Sequence, residues 1–295
     1  MYNMRKVSFL ITSEYDGMKV GDILKRMSIS SRLLPELKRT GGILLCDKVV
    51  TVREKVKEGD TVSVALYEES SSLNVVPANI DLDIIYEDED ILAVCKPKDM
   101  PVHPSAYNYD NTLGNAVMYY YRNKNFVYRP ITRLDRDTTG LVIIAKNKLS
   151  AAILSDEIKN GNIRQTYLAY LSKTPKNDKG KIEAPILREA ESVIKRKVDK
   201  DGKYALTEYE IIKKLDDGKC IAKVCPITGR THQIRVHMAH IGCPLTYDYL
   251  YGTETEGETL YLHCMSLEFT HPVTREKLIL SCPPPKDGEL SQKLS

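Results

Sequence analysis

Apolar residues along the chain fall into short runs with two different periods, and these runs predict the elements. Val7 to Ile11 reads as a strand, whereas Val20, Ile23, Leu24 and Met27 recur at helical spacing. Leu33, Leu34 and Leu37 repeat that spacing after Ser30-Ser31-Arg32, where a serine suits an N-cap, and Gly41-Gly42 ends the helix. Ile43 to Val50 and Thr61 to Leu66 read as strands separated by the turn Lys57-Glu58-Gly59-Asp60. From Tyr67 to Ala78 the pattern lapses into Glu68-Glu69, three serines and Pro77, the composition of a flexible linker and a domain boundary.

The pattern resumes with strands Leu82 to Tyr86 and Ile91 to Cys95 around an acidic turn. Lys96-Pro97 and Pro101-Val102-His103-Pro104 follow as a rigid extended segment. Leu113, Ala116, Val117 and Tyr120 share a helical face, as do the apolar residues of Leu149 to Ile158. Leu141 to Ala145 reads as a buried strand, Arg164 to Tyr170 as an alternating one, and Thr207 to Ile212 as a third. Ile234, Met238 and Ile241 line one side of a helix for which Thr231 is the expected cap.

Composition narrows the class. The chain has 295 residues, with 42% hydrophobic and 28% charged, enough for a large folded domain and a small one. A net charge of +3 does not by itself announce nucleic-acid binding, so any basic surface must be local. One such place lies between Lys19 and Arg39, where six basic residues face two acidic ones, a balance of +4. A solvated helical face is the plain reading of those charges, and phosphate contact the sharper one. Seven scattered cysteines without a Cys-x-x-Cys pair fit reduced thiols in a cytoplasm better than a disulfide frame. No apolar run is long enough for a membrane span.

Two stretches carry candidate chemistry. In Ile131 to Lys146 a polar turn bearing Arg133, Asp135, Arg136 and Asp137 feeds the buried strand, a good way to hold a carboxylate still. Asp135 and Asp137 could equally satisfy their own turn backbone. In Ile227 to His237 a Thr-Gly turn precedes the helix that carries Arg235. His232, His237, His240 and Cys243 raise the possibility of zinc, but His232 and His237 lie about 140° apart around a helix and do not converge.

Arg133-Leu134-Asp135-Arg136-Asp137-Thr138-Thr139-Gly140-Leu141 closely resembles the signature of pseudouridine synthases of the RluA/RluD type, and Thr228-Gly229-Arg230-Thr231-His232-Gln233-Ile234-Arg235-Val236-His237 reproduces that family's second motif. Thr132 and Thr139 stand where the family has His or Asn and Ser, Gln165 replaces a Lys, and Tyr247 replaces a Gly. The resemblance runs from about Ile80 to Pro285. It implies an α+β catalytic domain over 79–295, with a long mixed, mostly antiparallel sheet and a central cleft. The first 66 residues resemble a small RNA-binding domain shared with a ribosomal small-subunit protein, S-four-like, on a tether over 67–78.

What this implies is isomerisation of uridine to pseudouridine in RNA, most often large-subunit rRNA and its precursors, with tRNA also open. Asp135 would act on the ribose, as nucleophile or as base, with Arg235 paired to it and Tyr167 against the uracil. Arg133, Arg230, His232, Lys96, His103, Arg32, Lys38 and Arg39 would contact RNA. No cofactor or metal is implied, and a cytoplasmic monomer is expected. Two other classes compete: an inactive RNA-binding assembly factor, and a glycoside hydrolase using Asp135 and Asp137 as its carboxylate pair.

Overall fold

A computed structural model describes residues 3–31, 33–68, 72, 74–105, 107–192, 194–252 and 260–285. The N-terminal part runs β1 (Asn3–Leu10), α1 (Val20–Arg26), α2 (Leu33–Thr40), β2 (Ile43–Leu45), β3 (Lys48–Val49) and β4 (Thr61–Glu68). Its four strands form an antiparallel sheet in the order β1-β4-β2-β3. Ser30 Oγ accepts from the Leu33 N–H at 3.3 Å, where the serine cap was expected. The single strand expected over 43–50 is instead a hairpin. Cys46 and Asp47 both take positive φ, 47° and 64°, which a two-residue turn requires and Asp tolerates.

The larger part adds β5 (Asp83–Glu87), β6 (Ile91–Lys96), α3 (Leu113–Tyr120), β7 (Thr139–Ala145), α4 (Lys148–Lys159), β8 (Arg164–Leu171), β9 (Lys179–Glu183), β10 (Ile186–Arg188) and β11 (Arg196–Val198). It closes with β12 (Leu206–Lys214), β13 (Cys220–Pro226), α5 (Gln233–His240), β14 (Leu262–Thr270) and β15 (Lys277–Ser281). One nine-stranded sheet runs β5-β6-β7-β14-β8-β13-β12-β9, with β15 on β14. Its pairings are antiparallel except β7 with β14, so the sheet is mixed, as the resemblance implied. Strands β9, β10, β13 and β15 have no counterpart in the pattern read from the sequence. β13 is buried on both faces and shows no alternation, and β9 has one buried side chain, Ile182.

The parallel β7–β14 pairing explains Gly140. Its φ is 108°, and a Cβ there would stand 2.3 Å from the Cys264 carbonyl oxygen. Only glycine permits that approach, and the turn bearing Asp135 depends on it.

Three expectations need correction. The tether over 67–78 falls partly on residues 69–71 and 73, outside the described residues, but the rest is pinned. Ser72 Oγ accepts from Tyr128 N at 2.9 Å, and Asn115 Nδ2 donates to the Val76 carbonyl at 2.7 Å. The N-terminal sheet is not a free module either, because Leu149 and Ile153 of α4 are buried within its apolar core. Cysteines are not all reduced: Cys95 of β6 and Cys282 beyond β15 form a disulfide across 187 residues. Nothing local in sequence signals a pairing that only the sheet brings together.

Candidate active site

Loop 131–138 is held against the sheet before it presents any reactive group. Thr132 is buried and its Oγ1 accepts from Ile143 N at 3.0 Å, while Ile131 N donates to the Ile143 carbonyl at 2.7 Å. Thr132 is thus a brace rather than a surface contact. Thr139 Oγ1 meets His263 Nδ1 at 2.8 Å, and His263 Nε2 bonds the Cys282 carbonyl at 2.8 Å.

Lys96 is wholly buried under the same loop. Its Nζ donates to the carbonyls of Pro97 at 2.7 Å and Arg136 at 2.9 Å. This corrects its expected role: a side chain with no exposure cannot touch RNA, and Lys96 fixes the loop's backbone instead. Burial pushes its pKa down to about 7, against the opposing charges of Asp137, Asp135 and Asp99. The unfolded chain therefore holds the extra proton between about pH 7 and the ordinary lysine value. Stability of the wild type relative to Lys96→Met is expected to rise across that interval and stay flat below it. Urea melts at pH 6, 7 and 9.5 check this, and a pH-independent difference between the two proteins refutes it.

Asp135 faces an open cleft of about 320 Å³ lined also by Arg133, Tyr167, Arg230, His232 and Arg235. Arg235, a hundred residues further along, lies on α5 and is 2% exposed. Its Nη1 is 3.5 Å from Asp135 Oδ2. Its main partner is another residue: Nε and Nη2 donate to Asp248 Oδ2 at 2.8 Å and Oδ1 at 2.7 Å. The fork is thus spent on Asp248, and the remaining nitrogen is aimed at Asp135. Burial acts to lower the Arg235 pKa, but the bonds and charge of Asp248, with the charge of Asp135, overcome it and raise it. The Tyr251 ring lies 5.2 Å from the guanidinium carbon.

His232 joins the same group. Its Nε2 is 3.8 Å from Asp135 Oδ2 and its Nδ1 bonds Tyr251 Oη at 2.7 Å. Burial lowers its pKa, Asp135 pulls the other way, and Arg235 and Arg196 reinforce the fall. His232, not Thr231, occupies the N-cap position of α5, with φ 57° and no side-chain cap. Gln233 closes the turn instead. Its Oε1 accepts from Thr228 Oγ1 at 2.7 Å and Arg230 N at 3.0 Å, and its Nε2 donates to Leu206 O and Thr207 Oγ1, both at 2.9 Å. That network holds a bulky residue in left-handed backbone beside the cleft, where strain of this kind is commonly found.

Tyr167 is buried on β8, and Gln165 Nε2 donates to its Oη at 3.1 Å. Burial, with Cys264 and Asp135, raises its pKa well above the usual phenol value, so the hydroxyl keeps its proton at neutral pH. Tyr247 has φ 62°, so the turn keeps the left-handed backbone for which glycine is usually chosen.

The other predicted residues lie farther out. Arg133 and Arg230 are exposed on the cleft lining, and Arg230 Nε donates to the Tyr204 carbonyl at 2.9 Å. His103 is exposed, edge-on to Tyr128, and does not line the cleft. Partial desolvation of the ring by its neighbours, with the charge of Arg133, lowers its pKa. Lys38 and Arg39 are exposed on α2, away from the cleft lining, and Arg32 lies outside the described residues. Asp137 is 9% exposed and bonded by Arg136 Nε at 2.6 Å, so it does not share the cleft with Asp135 as a carboxylate pair requires.

His237 engages Thr207 Oγ1 and the Ala184 carbonyl, both at 2.9 Å, which leaves neither nitrogen for a metal. The triads with metal-like spacing among the described residues are Asp83-Cys95-Cys282, spanned by the disulfide, and Asp88-Asp90-His271, held by its own ion pairs; neither lies in the cleft. Sequence reasoning gave no role to Asp248, Tyr251 or Gln233. The signal for Asp248 and Tyr251 is their place in Gly242 to Gly252, a stretch that continues the resemblance but specifies no partner.

Comparison with known proteins agrees with this geometry. The family described as RNA pseudouridylate synthase matches residues 90–240. The chain is 36% identical over 274 residues to the uncharacterized RNA pseudouridine synthase YjbO of Bacillus subtilis, covering 92% of this chain and 96% of that one. It is 35% identical over 263 residues to the ribosomal large subunit pseudouridine synthase D of Haemophilus influenzae, covering 83% and 80%. Among solved structures, the human RNA pseudouridylate synthase domain containing 1 superposes with a TM-score of 0.59 at 26% identity, over 70% of this chain and 85% of that one. Two motifs a hundred residues apart thus converge on one cleft in a chain matched along most of its length by such enzymes, and the chain belongs to the RNA pseudouridine synthases, an RNA-modifying isomerase family.

Proposed function

We propose that this enzyme converts uridines of large-subunit ribosomal RNA to pseudouridine in the cytoplasm, as a monomer, with Asp135 as its catalytic carboxylate. The supporting observation is the Asp248–Arg235–Asp135 relay: a buried arginine clamped on one side by Asp248 and aimed from the other at Asp135, 3.5 Å away. The rRNA preference draws on relatives named ribosomal large subunit pseudouridine synthase D and on the basic residues of α1 and α2.

The reaction breaks the ribose C1′–N1 bond, turns the uracil and joins C1′ to C5; N1 ends with a proton and C5 loses one. Asp135 acts on the ribose in its ionised form, whether its oxygen adds to C1′ or removes the C2′ proton. Arg235 holds that carboxylate in place from 3.5 Å away. Tyr167 walls the pocket with a neutral phenol, against which a detached uracil can stack and turn without escaping. The target nucleotide leaves its stack to enter, at an expected cost of a few kcal/mol. Arg133, Arg230 and His232 at the cleft, with Arg32, Lys38 and Arg39 of an RNA-binding domain over 1–66, offset this through backbone contacts. Residues 79–295 form the catalytic domain in this reading.

The test is incubation with in vitro transcribed rRNA in chelator, followed by carbodiimide primer extension. Stops that appear with wild type and vanish with Asp135→Asn are expected; binding without stops overturns the proposal. Arg133→Ala and Lys38→Ala are each expected to raise KM for RNA and to reduce the slope of log K against log salt by about 0.7–0.9. Filter binding between 50 and 200 mM salt measures that slope, and an unchanged slope removes the residue from the phosphate-contact set.

A further inference from the structure

Helix α4 belongs to two bodies at once. Its first turns carry Leu149 and Ile153, each 2% exposed, into the apolar core that includes Leu33 and Leu37 of α2. Its last turn carries Ile158, which lines the cleft. Nine helical steps carry the chain from Leu149 to Ile158, a span of about 14 Å.

The docked end is also latched by charge. Arg5 of β1 donates through Nε and Nη2 to both oxygens of Asp90, at 2.9 and 2.6 Å, and its Nη1 lies 2.7 Å from Glu89. Asp90 is buried, and its Oδ1 also accepts from Nδ2 of Asn147, the residue that caps α4 through Ser150 N. Lys148 pairs with Glu36 of α2. One carboxylate therefore ties the N-terminal sheet to the start of the helix whose other end borders the cleft.

We infer that α4 acts as a fixed spacer, holding the N-terminal part, with its basic helices α1 and α2, at a set distance from Asp135 so that where those helices grip the RNA determines which uridine enters. This rests on the RNA reading proposed above. Releasing the sheet would bare Leu149 and Ile153 to water, so the docked arrangement is the ground state. A flexible tether would accept many distances between grip and target, whereas a spacer accepts few.

Full-length Ile153→Asp puts a charge into the shared core, and Arg5→Glu sets a like charge against Asp90 and Glu89 as the milder variant. Small-angle X-ray scattering reads docking; KM, kcat and the map of modified positions on transcribed large-subunit rRNA read the consequence. Both variants are expected to raise the radius of gyration, increase KM about tenfold, leave kcat within twofold and scatter modification over additional uridines. Ile153→Leu is expected to behave as wild type. Variants that undock yet keep the wild-type KM and map overturn the inference, as does wild-type scattering that already shows a displaced sheet. If wild type leaves the rRNA transcript unmodified, the rRNA assignment fails separately, and the same arms run on tRNA decide the spacer.

Discussion

Asp135→Asn is expected to lower pseudouridine formation by at least ~10³-fold, the range in which loss of a nucleophile or general base falls. The reason is local. Asparagine keeps the shape of the side chain and its place beside Arg235, but carries no charge with which to attack the ribose or accept its proton. Stability should hold within about 1 kcal/mol, because the Asp135 side chain is 27% exposed and Arg235 keeps its two bonds to Asp248. RNA affinity should hold as well. Primer extension, thermal melts and filter binding on one preparation separate the three quantities. A variant that still turns over at a tenth of the wild-type rate removes Asp135 from the chemistry.

Asp248→Ala is expected to harm fold and rate together. Asp248 is fully buried and holds a guanidinium that is itself 2% exposed, so its loss strands a charge in the interior at ~3–5 kcal/mol. The freed fork is then expected to turn toward Asp135, and a carboxylate engaged by two N–H donors is a poorer nucleophile and base. A second variant separates packing from chemistry. Asp248→Leu with Arg235→Met replaces the pair by apolar groups, which is often neutral for stability. The double variant is expected to recover much of the lost stability in urea melts and none of the activity. Recovery of both would reduce Arg235 to a packing residue.

Much of the fold was legible because it is written locally. Helical spacing at Val20 to Met27 and Leu33 to Leu37 describes a face to be buried, the apolar run Leu141 to Ala145 a strand buried on both sides, and each appears as an element. Arg164 to Tyr170 is also a strand, but it is buried continuously from Thr166 rather than at alternate residues. The elements missed carry weak local signals. β13 is buried on both sides, and β9 carries one buried side chain.

The sequence by itself determined the family, because two long motifs match it residue by residue, and through that resemblance it named Asp135, Arg235 and Tyr167 as candidates. Only the tertiary structure decided the partners. Arg235 spends its fork on Asp248, Lys96 lies beneath the loop instead of facing RNA, Cys95 meets Cys282, and α4 is shared between sheet and cleft. The physical reason is range. Periodicity and turn preference act over a few residues, while the cost of burying a charge is settled by whichever group the folded sheet brings within bonding distance, however far along the chain it stands.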